Sequence, residues 1–455
     1  MGVTRELSEW IVKASYRDFP EDAVSAAKVL LLKTIVGMVV GSREPLGRKV
    51  IIYLSGVGGV PEAGVVGGGF RTSVENAAFA HGTFAHASEL EDDSVPDTIG
   101  DYWIFPAIFS LGEKLVSSGR EIVEAAIVSW EAGQKMCRAA HGEISGLSCT
   151  WFGVVATAVA AAKLLKLNVD ETTNALSIAA SHSCGLLAQT GFDAHFIESG
   201  HTCRAGVQSA ILAQAGMTGV PDVLERRDGL YAEVWFRKNN VDFNAITDWI
   251  GKPPYDVGNV MIKKFPCCLV LHAAIDALMM LVQENDIKYE DVERVDAEVP
   301  EWGRYFCDRP VPNNLGDARF SYYHVLGEIL LRGKVDLSTF TNEENLFDPR
   351  HREAQGKIRV IVPADWPKEV YEGARVTVVK KDGQKLVKHL DASIGSAKYP
   401  LTLEQVRDVS RPYLDAFLEE RHRDRVEEIV LNLEKQVDIL ELMDMLTFFR
   451  TPSRA

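Results

Sequence analysis

Residues 263–299, KKFPCCLVLHAAIDALMMLVQENDIKYEDVERVDAEV, divide the chain into two kinds of structure. The first part reads as a helix, opened by Lys263-Lys264-Phe265-Pro266-Cys267-Cys268 and running to about Gln283. From Val292 to Val299 apolar and polar residues alternate as they do in a strand. Two further strands are expected at 356–362 and 374–380, and Lys381-Asp382-Gly383 is a turn signal leading into 385–390. Upstream, the first 260 or so residues read as helix after helix. From Thr402 the spacing turns helical again, with Leu403, Val406, Leu414 and Phe417, then residues 426–449. The expected fold is mainly α: a large all-helical domain formed by both chain ends, 1–262 and 402–455, plus a smaller α+β domain, 263–401.

Within the helical part, residues 22–40 carry apolar side chains at three- and four-residue spacing after Pro20, Glu21 and Asp22, which favour a helix start. Residues 73–87 have a close-packed Ala/Phe face, with His81 and His86 near its end, both read as satisfied core histidines. A helix is expected after Pro106, over 107–116, and a longer one over 121–140. Residues 153–167, GVVATAVAAAKLLKL, are small on several faces and suit burial among other helices.

The chain has 455 residues, 46% hydrophobic and 25% charged, as in an ordinary globular enzyme of two or three domains. A net charge of -15, with no basic stripe, excludes nucleic acid as a partner. The 7 cysteines (137, 149, 184, 203, 267, 268 and 307) form no CxxC pair, which fits reduced thiols in a cytoplasm. The N-terminal residues do not read as a signal peptide. Lys33, Lys163 and Lys166 interrupt the most apolar runs below the roughly 18 residues that a bilayer span needs, so no membrane contact is expected. His and Cys show no HxxxH, HExxH or CxxC spacing, so no metal is expected either.

Residues 86–106, HASELEDDSVPDTIGDYWIFP, place Glu89, Glu91, Asp92, Asp93, Asp97 and Asp101 between two helical segments. Such a run suits a solvated turn or a loop dipping into a pocket. Residues 141–153, with a Ser-Cys-Thr step at Ser148-Cys149-Thr150, make a plausible pocket wall, and Cys149 reads as a structural thiol. A helix is expected from near His201 to Gly216. Asp193, His195, Glu198 and His201 crowd ahead of its start, which suits an anion site or an ordinary cap.

Four motifs occur in the order found in the MmgE/PrpD family, which the chain resembles over nearly its whole length. They are HGTFAHASELEDDS (81–94), SGHTCRAGVQSAILAQAGMTGVPDVLE (199–225), KKFPCCLVLHAAIDA (263–277) and DARFSYYHVLGEILLRGKVDLSTFT (317–341). The resemblance implies a helical domain carrying an α+β lid, a homodimer and no obligatory metal or other cofactor. It also implies lyase chemistry on a small di- or tricarboxylate, by proton abstraction next to a carboxylate, in dehydratase or decarboxylase fashion. Several family positions are changed. Asp93 stands where a Thr is usual, Ile99 where a His is, and Leu147 or Ser148 where a second His falls. His195 aligns with a Lys, Cys268 with a lid His, and His324 with a lid Tyr.

His195 and His324 are therefore the expected acid/base pair. Asp92 and Asp93 join them as catalytic candidates, and Asp92 with Glu89 or Asp93 is expected near His195. The substrate-binding candidates are Glu89, Tyr102, Arg204, Lys264, Cys268 and Arg319, with Arg offering carboxylates a bidentate fork. If His195 and His324 flank one carbon, an epimerase is the alternative; a non-catalytic binding homologue is the other. Under the two-base reading, Asn at either His lowers turnover by roughly a hundredfold or more.

Overall fold

The computed structural model describes residues 2–95, 99–140, 150–232, 234, 240–367 and 370–449. Asp97, Leu147, Ser148 and Cys149, singled out above, lie outside that set. The chain divides into two compact units. One comprises residues 1–189, 194–260 and 406–455, and the other 190–193 and 261–405.

The first unit is helical: α1 (Val3–Lys13), α2 (Glu21–Gly41), α3 (Pro45–Val57), α4 (Val74–Ala87), α5 (Asp101–Leu115), α6 (Gly119–Ala139), α7 (Thr150–Leu164), α8 (Val169–Ala180) and α9 (Asp193–Gln214). A two-stranded ribbon, β1 (Ala63–Gly64) and β2 (Arg71–Thr72), precedes α4. The second unit holds α10 (His272–Glu284), α11 (Tyr322–Arg332), α12 (Pro349–Gly356) and a sheet of β3 (Val292–Glu298), β4 (Ile358–Ile361), β5 (Ala374–Lys380) and β6 (Lys385–Leu390). After it come α13 (Leu403–Asp415), α14 (Glu420–Leu431) and α15 (Leu440–Phe448). The protein is mainly α.

In the sheet, ordered β4-β3-β5-β6, β3 and β4 are parallel and the other pairs antiparallel. The period-two pattern read from the sequence sets its buried face. Val295 lies opposite Val378 and Ala297 opposite Val376, all buried, while Glu293 and Arg375 point to water. The Asp382-Gly383 turn closes β5 onto β6 with Gly383 at φ 88°, a value that favours glycine. The helix expected from Lys263 begins later, at His272. The Cys268 N–H instead donates to the Arg319 carbonyl, which holds 265–268 out of helical geometry.

In the first unit, α2 is by length and composition long and apolar enough to cross a membrane, contrary to the expectation above; 78% of its most apolar window is buried within the protein. Lys33 does not interrupt it. Its side chain is wholly buried, and a buried ammonium demands a carboxylate partner, which determines what packs against α2.

Two helix boundaries also differ from the sequence expectation, and both matter to the site. α5 begins at Asp101, with Pro106 inside it. The proline cannot donate to the Tyr102 carbonyl, and Cys203 Sγ of α9 approaches that carbonyl at 3.7 Å and the Trp103 carbonyl at 3.0 Å. Thr157 Oγ1 of α7 also donates to Trp103 O. α9 begins at Asp193 rather than near His201, so Asp193, His195, Glu198 and His201 lie inside its first turns, not ahead of it. Gly200, inside α9, is a packing residue. A Cβ there would lie 2.5 Å from the Phe79 carbonyl and 2.2 Å from Thr83 Oγ1, and one on Gly82 would lie 2.6 Å from the Ser199 carbonyl. These two glycines let α4 and α9 cross nearly backbone to backbone.

Candidate functional site

That close crossing brings the C-terminal end of α4 against the first turns of α9. Ser199 Oγ lies 2.7 Å from His86 Nδ1, and the His86 and His195 rings are 4.5 Å apart at 65°. Tyr102, from the first turn of α5, lies on the other side of His86 with ring centroids 4.3 Å apart. Immediately after α4 the backbone reverses at Glu89, a non-glycine residue at φ 55°, which turns its carboxylate back under the helix. Glu89 Oε1 lies 3.7 Å from His86 Nε2. One donor atom from each of His86, Glu89 and His195 falls within 4.8 Å of the others. His195 Nδ1 also faces Glu198 Oε2 at 4.0 Å, and the Leu186 N–H donates to the other Glu198 oxygen at 2.9 Å.

The acidic stretch is not a solvated turn: Glu89, Glu91, Asp92, Asp93 and Asp101 are all buried. It splits into two parts. Glu89 belongs to the histidine cluster, whereas Asp92 faces Lys33 Nζ at 4.0 Å and receives the backbone N–H of Asp101 on its carbonyl. Asp101 Oδ1 accepts the Asp92 N–H at 3.1 Å, and its other oxygen is 2.7 Å from Thr34 Oγ1 of α2. Burial, and then the Asp92 charge, hold the Asp101 carboxyl well above the ordinary carboxylate range. Asp93 bridges to Gly100 through the backbone, closing the loop. Ile99, at the position where the family resemblance implies a histidine, is buried against Gly133 and Ala156 and moves no proton.

The remaining candidates lie elsewhere. Arg204 Nη2 donates to Asn76 Oδ1 at 2.9 Å and its guanidinium covers the Phe79 ring at 4.3 Å. Asn76 is ten residues before His86 on α4, roughly 15 Å along the axis, so Arg204 is not a member of this cluster. In the second unit Lys264 pairs with the buried Asp276, whose other oxygen accepts the Ile394 N–H. Arg319 is buried over the Phe340 ring, and Cys268 lies beside Cys307.

His324, expected as the second base, is 1% exposed and has both ring nitrogens engaged within its own unit. Nε2 is 3.1 Å from the Thr339 carbonyl and Nδ1 is 3.4 Å from Gln355 Nε2. Burial lowers its pKa, so the ring is neutral, with Nε2–H donating to Thr339 and Nδ1 accepting from Gln355. Both ring nitrogens of His324 are thus engaged within the second unit, whereas the two-base expectation requires one of them for a substrate proton. His81 is the core histidine expected. The Val66 N–H donates to its Nε2, Nδ1 faces Ser110 Oγ, and burial pushes its pKa down to about 4.

Sequence reasoning missed three members of the site. His86 read as core packing because it sits on an Ala/Phe face, and Ser199 carried no signal. Lys33 did carry one, since a lone cation inside an apolar helix needs a buried carboxylate, and the sequence holds one dense acidic run.

Two family sequence models match the chain, the MmgE/PrpD N-terminal domain over residues 5–244 and the MmgE/PrpD C-terminal domain over residues 265–435. A cis-aconitate decarboxylase of Aspergillus terreus is 25% identical, aligned over 98% of this chain and 96% of its own length. The cis-aconitate decarboxylases of Mus musculus and Homo sapiens are 24% and 26% identical, over 84% and 83% of this chain and 80% and 79% of their own lengths.

Proposed function

Because this chain belongs to the MmgE/PrpD family, we propose that it is a lyase of small di- or tricarboxylates, a decarboxylase or dehydratase that moves a proton at a carbon next to a carboxylate. The observation that carries the reading is the buried contact of His86, Glu89 and His195, built from the family motifs around residues 81–94 and just ahead of 199–225.

Within the cluster His195 is the group a substrate reaches: its side chain is 13% exposed, against 3% for His86 and 2% for Glu89. It is the proposed proton-moving residue. Glu198 at 4.0 Å stabilises the imidazolium formed when His195 takes a proton. His86, held at Nδ1 by Ser199, is a positioning residue that fixes the His195 ring from behind. In a decarboxylation the C–COO⁻ bond breaks, CO₂ leaves, and the electron pair left on carbon is protonated by the acid. In a dehydration the same residue takes the C–H proton, the C=C bond forms from that electron pair, and the C–O bond breaks to release hydroxide.

Epimerisation needs a second base, and His324 is committed to Thr339 and Gln355. A cytoplasmic location is supported by five buried free thiols among the described cysteines. A homodimer is supported by the exposed apolar side chains Ile52, Tyr53, Val57 and Val60 on and just after α3.

The test is incubation of the chelator-treated protein with cis-aconitate and a panel of saturated hydroxy-di- and tricarboxylates in deuterated water, followed by NMR. Decarboxylation releases CO₂ and leaves one deuterium on the product carbon, whereas dehydration gives an alkene. His195→Asn should lower turnover by roughly a hundredfold or more. Absence of turnover on every member of the panel, or an undiminished His195→Asn variant, would overturn the reading.

A further inference from the structure

We propose that His86, Glu89 and His195 also form a binding site for one divalent transition-metal ion, and that its occupancy switches the enzyme off. Two imidazoles and a carboxylate are a donor set suited to zinc, cobalt, manganese or ferrous ions rather than to magnesium or calcium, which prefer oxygen donors. Their separations are close to what one ion requires. Bonds of about 2.1 Å place neighbouring donors about 3 to 3.5 Å apart, and His86 Nε2 and Glu89 Oε1 are already 3.7 Å apart, within a three-residue set no wider than 4.8 Å.

The surroundings favour the same occupant. Ser199 Oγ, 2.7 Å from His86 Nδ1, can accept the proton of that nitrogen and so leave the Nε2 lone pair turned toward Glu89, the arrangement that orients metal-ligating histidines. Glu89 is 2% exposed, and a dication beside a buried carboxylate interacts in a medium where charge is poorly screened. His195, the most exposed of the three, opens the cluster to solvent and gives the ion its entry. Three protein donors leave coordination positions for water or a substrate carboxylate.

The consequence for turnover follows from the lone pair. A His195 nitrogen bonded to the ion cannot take a proton from carbon, so the loaded protein is inactive and the chelator-treated protein is the active form. Metal binding rests on the donor geometry alone; only the inhibitory consequence rests on the role proposed for His195.

The experiment uses the full chain, stripped with chelator and kept free of substrate, titrated with Co²⁺ while its visible d–d absorption is followed, with Zn²⁺ by calorimetry in parallel. One saturating site is expected. Glu89→Gln and His195→Asn should each weaken it by at least about tenfold, and His351→Asn, at the separate His351–Glu328–Asp348 cluster of the second unit, should leave it unchanged. Absence of a saturable signal, or a signal that survives both cluster substitutions, overturns the site. In the second arm, Zn²⁺ should lower wild-type turnover in step with occupancy and excess chelator should restore it. Binding without loss of turnover, or turnover that requires the metal, overturns the off-switch. Both titrations are read without substrate, so their failure is distinct from failure of the lyase reading, which is tested on the chelator-treated protein.

Discussion

Replacing Asp101 with Asn should make the protein progressively more stable than wild type as the pH rises. Thr34 Oγ1 is 2.7 Å from Asp101 Oδ2 and 2.9 Å from the Leu30 carbonyl, yet a hydroxyl has one hydrogen. The carbonyl cannot donate, so when it takes that hydrogen the contact with Asp101 is satisfied by a proton on the carboxyl. A raised Asp101 pKa, caused by burial and then by Asp92, agrees with this. Asn reproduces the arrangement, with Nδ2 donating to Thr34 and Oδ1 accepting the Asp92 N–H.

In the unfolded chain Asp101 ionises near pH 3.9, whereas in the folded protein it keeps its proton to higher pH. A group raised in this way contributes its full stability below the unfolded pKa and loses it as pH climbs toward the folded value. The loss is about 1.4 kcal/mol per pH unit in that window, and Asn has no proton to lose. The two proteins should therefore be closest in stability near about pH 4 and diverge at about that slope until the folded Asp101 ionises. Urea midpoints and m-values, taken in half-unit steps from about pH 4.5 to about pH 7.5, measure the difference. A difference that is flat in pH, or that favours wild type more strongly as pH rises, would refute a protonated Asp101. Asp101→Ala is the contrast: it leaves Thr34 and the Asp92 N–H unsatisfied, at about 1–3 kcal/mol each, at every pH.

Lys33→Met should cost about 3–5 kcal/mol because it removes the buried ammonium that faces the buried Asp92. Adding Asp92→Asn should recover part of that, with a coupling of up to about 4 kcal/mol at the 4.0 Å separation, read from a double-mutant cycle in urea. Gly200→Ala should destabilise by about 1–3 kcal/mol or more, since its Cβ meets the Phe79 carbonyl and Thr83, and should lower turnover by displacing Ser199 from His86; calorimetry and steady-state kinetics check both effects. His324→Asn should lower the unfolding free energy by about 1–3 kcal/mol through the lost Thr339 bond, while turnover per folded molecule stays near wild type, unlike that of His195→Asn.

Periodicity located α2, α4, α6 and α7 and the segments of the four strands β3 to β6, because 3.6- and 2-residue spacings record which face is buried, and that face is what the fold preserves. One helix start was legible where chemistry marks it, at Pro20, Glu21 and Asp22, where α2 opens. The reading went astray where a residue's usual local meaning was overridden by a neighbour distant in sequence. The helix expected from near His201 begins at Asp193, and nothing in its own segment reveals that α4 lies against Gly200. Pro106 looked like a helix start, although Cys203 and Thr157 engage the carbonyls around the lost hydrogen bond. His324 had the right residue type for a base, and only the fold shows that Thr339 and Gln355 already hold both nitrogens.

The same logic accounts for where the chemistry falls. Burying five carboxylates between α4 and the start of α5 is costly unless each is neutralised or bonded. Three of the five show how: Lys33 faces Asp92, a raised pKa favours the protonated form of Asp101, and Glu89 is set beside His86. The first two lie inside the core, with Lys33, Asp92 and Asp101 wholly buried. The third is open on one side, because the histidine pair ends in His195, whose ring is partly exposed. Among the described members of the cluster His195 is the most exposed, and the proposed proton transfer to a ligand runs through it. A substitution there should change turnover and leave the stability of the acidic loop intact, whereas substitutions at Lys33 or Asp92 should change stability first and turnover as a consequence.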